Sequence, residues 1–254
     1  LLTLGKEVDI LIKGFDQCSK LMLKITDFVM AFSPVGIAAL MAKLVNSISG
    51  ATVKDVITFI IMDYVAAIVV LVVMYPLLLK LLSGLSPLTF FKKITEPMLV
   101  AITTTSSAAT LPVSLKTAGT KLGIPENVYG FTLPLGNTCG MNGFAIFIGL
   151  CCIFCSNVYG VEITFSKLVL YVFLGIILSV GAAGVKGAGI VMSTVLLEAI
   201  GMPLTVIPIF AAIWPAIDPP HTLLNNVSDI VGTSIIAKRL GLIDEKIYNS
   251  EIVD

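Results

Sequence analysis

The stretch "AIWPAIDPPHTLLNNVSDIVGTSIIAK", Ala212 to Lys238, is apolar, yet it holds two aspartates, the chain's only histidine and three prolines. On a helix, positions i, i+3, i+4, i+7 and i+11 share a face. Asp218, His221, Thr222, Asn225 and Asp229 have this spacing, while Leu223, Leu224, Val227 and Ile230 lie off it. What solvent surrounds this stripe decides the fold.

Composition answers that question. The chain has 254 residues, 57% of them apolar and 13% charged, with a mean hydropathy of +1.02. Soluble domains carry roughly 25% charge, so the pattern is that of an all-α, polytopic membrane protein. A charge at the bilayer centre costs about +2.5 kcal/mol or more. Two carboxylates on one stripe therefore need counter-charges, from a ligand's ammonium or from metal cations. The plainer alternative is a polar seam between helices, or a helix lining a water-filled crevice.

The remaining composition narrows the class. Net charge is zero, only Arg239 among the 16 basic residues is arginine, and no basic cluster suits nucleic acid. Five cysteines, an odd number with Cys139, Cys151, Cys152 and Cys155 in one apolar stretch, fit reduced packing residues better than a disulfide framework. Cys151-Cys152-x-x-Cys155 has no histidine or fourth ligand nearby to complete a metal site. The chain starts at Leu1 without a visible signal peptide, and the expectation is a portion of a longer protein whose earlier membrane segments precede it.

Along the chain, residues 1–85 read as an amphipathic lead-in followed by two spanning helices, "FVMAFSPVGIAALMAKLV" and "VITFIIMDYVAAIVVLVVMYPLLLKLL". Residues 86–240 then alternate. Two short apolar arms over 88–122 surround the Ser/Thr-rich "TTTSSAATLP", which predicts a re-entrant hairpin. Residues 126–157 have spanning length but are interrupted by Pro134, Gly136, Gly140 and Gly143, which predicts a broken helix. Residues 164–201 repeat the two-arm pattern around a glycine-rich centre, and 203–239 repeat the broken helix, interrupted at Pro215, Pro219 and Pro220. Residues 241–254 form a polar tail. Paired, interrupted hydrophobic segments point to a transporter site at the bilayer midplane.

The lysines orient this threading. With the N-terminus inside, the first hairpin entering from inside and the second from outside, twelve basic residues face the cytoplasm and four (Lys43, Lys54, Lys167, Lys186) face out. The reverse threading would violate the positive-inside bias, so both termini are expected in the cytoplasm of a multi-pass cell-membrane protein. Asp63 reads as a structural pair or a helix-interface group, with a functional role as the alternative, and Glu96, Glu126 and Glu198 as solvated helix-end residues.

Several motifs in this order resemble the dicarboxylate/amino acid:cation symporter family, with its glutamate-transporter-like fold. "SSAATLPVS" looks like the first hairpin tip, "FTLPLGNT" like the start of the broken seventh helix, "GAAGVKGAG" like the second tip and "DPPHTLLNNVSD" like the eighth helix. The resemblance covers nearly the whole chain and only the C-terminal part of a full family member. It implies two scaffold helices, then two inverted units of re-entrant hairpin and discontinuous helix.

Roles follow from that resemblance alone. Thr105, Ser106 and Ser107 at the first tip, with Phe144, Asp218, His221, Thr222 and Asn225, would line the substrate pocket, and Val185 and Gly189 would close the second hairpin over it. Asp218 is similar to the aspartate that holds the substrate's α-amino group, and Asn225 to the asparagine that binds its α-carboxylate. Asp229 with carbonyls of Gly136, Gly140 and Asn225 resembles one sodium site, and backbone at Thr138, Val180 and Ala182 with Met141 resembles a second. The family's Asn-Met-Asp-Gly-Thr reads here Gly140-Met141-Asn142-Gly143-Phe144. Asn142 thus replaces an aspartate of a third sodium site, and fewer sodium ions are expected than in the family.

The pocket departs from the family as well. His221 and Thr105 stand where arginines pair with an acidic side chain, and Phe144 replaces a pocket threonine. Without a guanidinium fork a side-chain carboxylate loses its bidentate partner, so a neutral or small amino acid is expected over glutamate or aspartate. The expected protein is a sodium-coupled amino acid symporter working by an elevator-like motion, a homotrimer in the bilayer, not an enzyme, with no organic cofactor and no nucleic-acid partner. Rival readings are proton coupling through Asp218, His221 or Asp229, a binding-only relative, and an intramembrane aspartyl protease. The last fails on arrangement, because Asp218 and Asp229 lie about 16 Å apart along one helix.

Overall fold

The structure is a computed structural model; it describes residues 50–182 and 188–250, with scattered positions between 10 and 39. The lead-in and most of the first expected spanning helix lie outside the described residues, as does Val185. Every described element is helical. Helix α1 (Gly50–Val69) passes through a π-helical turn (Val70–Met74) into α2 (Tyr75–Ser83). Together with the later stretch Glu126–Val158, the run Val53–Ser83 is long and apolar enough to cross a bilayer, with mean hydropathies of 2.8 and 1.9. Gly84, at φ 74°, ends α2 in the left-handed conformation that glycine adopts without strain.

The next segment is a bent arm, a tight turn and a second arm. Ser86 caps α3 (Pro87–Lys93), whose first position is a proline, as helix starts favour. The chain bends at Ile94 and restarts as α4 (Thr95–Thr104), because Pro97 has no N–H for the Lys93 carbonyl. After Thr105 and Ser106 comes α5 (Ser107–Thr120), packed back along α4. Helix α6 (Glu126–Cys139) and α7 (Asn142–Val158) are one interrupted rod, broken at Gly140 and Met141, both with non-helical backbone. Helix α8 (Phe165–Gly181) and α9 (Ala188–Ala199) follow, the residues between them outside the description beyond Ala182.

The last long element corrects the expected break over 203–239. A short 3₁₀ turn (Leu204–Val206) leads into α10 (Ile207–Arg239), which runs for 33 residues without interruption despite Pro215, Pro219 and Pro220. The physical reason is visible at Ala216. Its carbonyl meets prolines at both i+3 and i+4, so neither a 3₁₀ nor an α-helical donor exists. The Tyr64 hydroxyl of α1 donates to that oxygen at 2.6 Å instead. Donors from neighbouring helices are how proline is tolerated in a membrane helix.

Helix α10 is the axis of the molecule, packed on α1, α2, α4, α5, α6, α7 and α9. All seven residues from His221 to Val227 are buried, so the helix is covered around its whole circumference. One core cluster beside it gathers Phe59, Phe147, Phe154, Phe210 and Trp214, with Cys151, Cys152 and Cys155 as buried, free packing thiols. The other gathers Tyr75, Leu79, Phe90, Ile94, Leu133 and Ile230. The tail helix α11 (Glu245–Asn249) clasps α3 and the chain just after α5. Tyr248 Oη donates to Ser86 O at 2.9 Å, Asp244 N to Gly123 O at 2.8 Å, and buried Lys93 Nζ to Ile247 O at 2.5 Å.

Candidate substrate and cation site

The first tip is built from two unlike residues. Thr105 closes α4 at φ 48°, the only described non-glycine residue with positive φ. A β-branched residue there stores strain of order 1–3 kcal/mol, which clusters at ligand sites. Ser106 is extended, and its hydroxyl accepts from Ala109 N at 3.2 Å, capping α5. Ser107 is buried, and its Oγ accepts from Asn226 Nδ2 at 3.2 Å. Asn226 also donates to Thr222 O at 2.8 Å. Sequence reasoning missed Asn226; the signal was a second amide, one turn after Thr222, inside an apolar segment.

The break between α6 and α7 is held by Asn225. Its Oδ1 accepts from Gly143 N at 2.7 Å and its Nδ2 donates to Met141 Sδ at 3.2 Å. One amide therefore satisfies an orphan donor of the α7 N-terminus and fixes the linking methionine. Gly143 is required, since a Cβ there would lie 2.5 Å from the His221 carbonyl oxygen. One turn earlier, the Asp229 carboxylate lies against the last turn of α6. A Cβ on Gly136 would come 2.5 Å from Asp229 Oδ1, and one on Gly140 would overlap it. A carboxylate thus sits beside a helix C-terminus, whose unsatisfied carbonyls already carry partial negative charge.

The other expected residues are distributed as follows. Asp218 accepts from the Thr222 hydroxyl at 3.4 Å, one turn along α10. Phe144 is buried, stacked on Phe147 with centroids 5.6 Å apart and edge-on to Trp214 at 6.3 Å. Gly189 lies against the Trp214 ring so closely that any Cβ would fall inside it. Met141 and Ala182 are buried in the same core cluster. Thr138 is exposed at the end of α6, its hydroxyl donating to Pro134 O at 3.0 Å, and Val180 and Asn142 are exposed too.

His221 is engaged elsewhere. Its Nε2 lies 2.8 Å from Asp63 Oδ1 on α1, and both side chains are buried. Asp63 is therefore paired across α1 and α10, with His221 as its partner.

A family model described as the sodium:dicarboxylate symporter family matches residues 1–239. The chain belongs to that family. It is 32% identical to an uncharacterized symporter of Haemophilus influenzae, over 91% of this chain and 54% of that protein. It is 28% identical to excitatory amino acid transporter 2 of Mus musculus, over 92% of this chain and 41% of that protein. The L-cystine uptake protein TcyP of Bacillus cereus is likewise 28% identical, over 97% and 53%. The chain spans about half the length of these relatives. The family is one of symporters, not enzymes.

Proposed function

We propose that this chain is the transport core of a secondary transporter that moves an amino acid together with sodium ions. The observation that carries the reading is Asp229 set against the C-terminal turn of α6 across Gly136 and Gly140. Side-chain and helix-end negative charge meet there with only glycine between them. Sodium takes oxygen ligands, and carbonyls of Gly136, Gly140 and Asn225 with the Asp229 carboxylate would supply them. A second ion would use backbone at Thr138, Val180 and Ala182 beside Met141. Asn142, a neutral amide, argues for fewer ions than the family's usual number.

The substrate side of the proposal rests on His221. With its Nε2 on Asp63, the ring offers no fork to a side-chain carboxylate. Asp218 would hold an α-ammonium, with Asn225, Thr222 and the Thr105–Ser107 tip for the α-carboxylate. A neutral amino acid suits this pocket better than glutamate or aspartate, and the relative named for L-cystine uptake is in keeping with such a substrate. We further propose that α4–α5 and α8–α9 are re-entrant hairpins, with both termini of this chain cytoplasmic. They would move with α6, α7 and α10 in an elevator-like manner within a homotrimer.

The test is uptake by the full-length protein in proteoliposomes, with a panel of amino acids and with Na⁺, K⁺ and pH varied separately. The expected result is sodium-driven uptake of a neutral amino acid, lost in Asp229→Asn. Sodium-independent uptake unaffected by that substitution would sink the sodium part. Tight, pH-independent binding of aspartate would refute the substrate part.

A further inference from the structure

Asp63 and His221 stand 158 residues apart in sequence, yet their hydrogen bond closes at 2.8 Å. Their side chains are 0% and 3% exposed. The imidazole packs on Trp214 and Phe147, with ring centroids 6.2 and 6.0 Å away. Asp63 Oδ2 and His221 Nδ1 are buried without a hydrogen-bond partner among the described residues. The pair is buried and aromatic-walled.

Charge counting decides what such a pair can hold. An ionised Asp63 beside a neutral His221 leaves one net negative charge, and an uncompensated buried ion costs several kcal/mol. One added proton makes the pair neutral, as imidazolium–carboxylate or as carboxylic acid–imidazole. Among the described residues no lysine or arginine stands close enough to do this instead. Helices α7 and α9 carry no Lys or Arg. Lys54 on α1, Lys80 on α2 and Lys116 on α5 are exposed, and Lys238 lies about 25 Å along α10.

The other titratable groups on the surrounding elements do not help. Asp218, one turn before His221, is itself an acid, and Asp55, Glu96, Glu126 and Glu198 on α1, α4, α6 and α9 are exposed. The hydroxyls of Tyr64 and Tyr75 donate to carbonyls of Ala216 and Leu224. The nearest titratable groups on α7 are its buried thiols, which are neutral packing residues.

We propose that Asp63 and His221 form a proton-binding site, one proton shared by the pair, which the transporter must hold to complete its cycle. The binding of the proton stands on the dyad itself; its place in the cycle rests on the transport reading above. Loss of the proton leaves a buried charge between α1 and α10, which loosens that contact.

The test has two arms on the full-length protein. In the first, ¹⁵N-histidine NMR, with the signal identified by its loss in His221→Gln, is combined with infrared spectra of wild type and Asp63→Asn near neutral pH. Either a doubly protonated His221 ring or a carboxylic-acid band that Asp63→Asn removes is the expected result. A singly protonated ring with no such band would overturn the proposal. In the second, uptake is followed against pH. Wild-type uptake is expected to fall at alkaline pH, and the falling limb to vanish in Asp63→Asn and in the double variant Asp63→Asn/His221→Gln, whose amide pair keeps a hydrogen bond and so reports on folding. A folded double variant with the wild-type pH profile would also overturn it. If wild type shows no uptake at all, the transport reading fails while the spectra still decide the dyad.

Discussion

The bond from Tyr64 to Ala216 makes a prediction that can be isolated from everything else in the protein. Tyr64→Phe removes one hydroxyl and no ring. In a continuous helix without prolines the loss would be small, because Ala216 O would have its own intrahelical donor. Here Pro219 and Pro220 remove both candidates, so the carbonyl is left without an intrahelical donor. Interhelical side-chain hydrogen bonds in membranes average about 0.6 kcal/mol and reach about 1.7, and an acceptor left with no alternative belongs at the upper end.

At about 2–4 °C per kcal/mol for a domain of this size, Tyr64→Phe lowers the melting temperature of the purified protein by about 3–6 °C. The decisive comparison is the same substitution in a Pro220→Ala background, where the restored N–H serves Ala216 O. There the cost of Tyr64→Phe falls to near zero, a coupling of about 1.5 kcal/mol in the double-mutant cycle. Equal costs in the two backgrounds would refute the idea that the hydroxyl substitutes for the missing backbone donor.

Two further outcomes are expected. Gly136→Ala or Gly140→Ala drives a methyl against the Asp229 carboxylate and weakens apparent sodium affinity in flux or binding assays at least about tenfold, about 1.4 kcal/mol. Gly149→Ala, whose Cβ would meet nothing within 4 Å, leaves sodium affinity unchanged. In the tail, burial raises the Tyr248 phenol above its ordinary 10.0. Its folded-state value being the higher, the stability it contributes is present below about pH 10 and lost as pH rises beyond it, where the unfolded phenol ionises first. Comparing alkaline melts of wild type and Tyr248→Phe checks this, the variant losing the Ser86 bond, about 1 kcal/mol, and that part of the alkaline slope.

Local signals carried much of this structure. The cap at Ser106 and the interruption at Gly140 announce themselves through residue types whose backbone preferences act within a turn or two. The continuity of α10 did not, because what rescues its prolines is a hydroxyl 152 residues away. The destination of His221 was hidden for a related reason. Stripe analysis assumes a helix with one special face, whereas α10 is enclosed on all sides between His221 and Val227. A polar residue there can answer to any of several neighbours. Thr222 and Asp218 meet along α10, Asn225 turns to Met141 in the break and to Gly143 on α7, and His221 turns to α1.

The interruption at Gly140–Met141 has one more consequence. A helix end carries about half an elementary charge, so cutting one rod into α6 and α7 creates a negative and a positive terminus back to back. Asn225 Oδ1 occupies the positive one at Gly143 N, and Asp229 stands by the negative one. Part of the negative charge there thus belongs to the path of the main chain and to no side chain. Replacing Asp229 removes the side chain's share but cannot remove that remainder, which persists for as long as the rod stays cut.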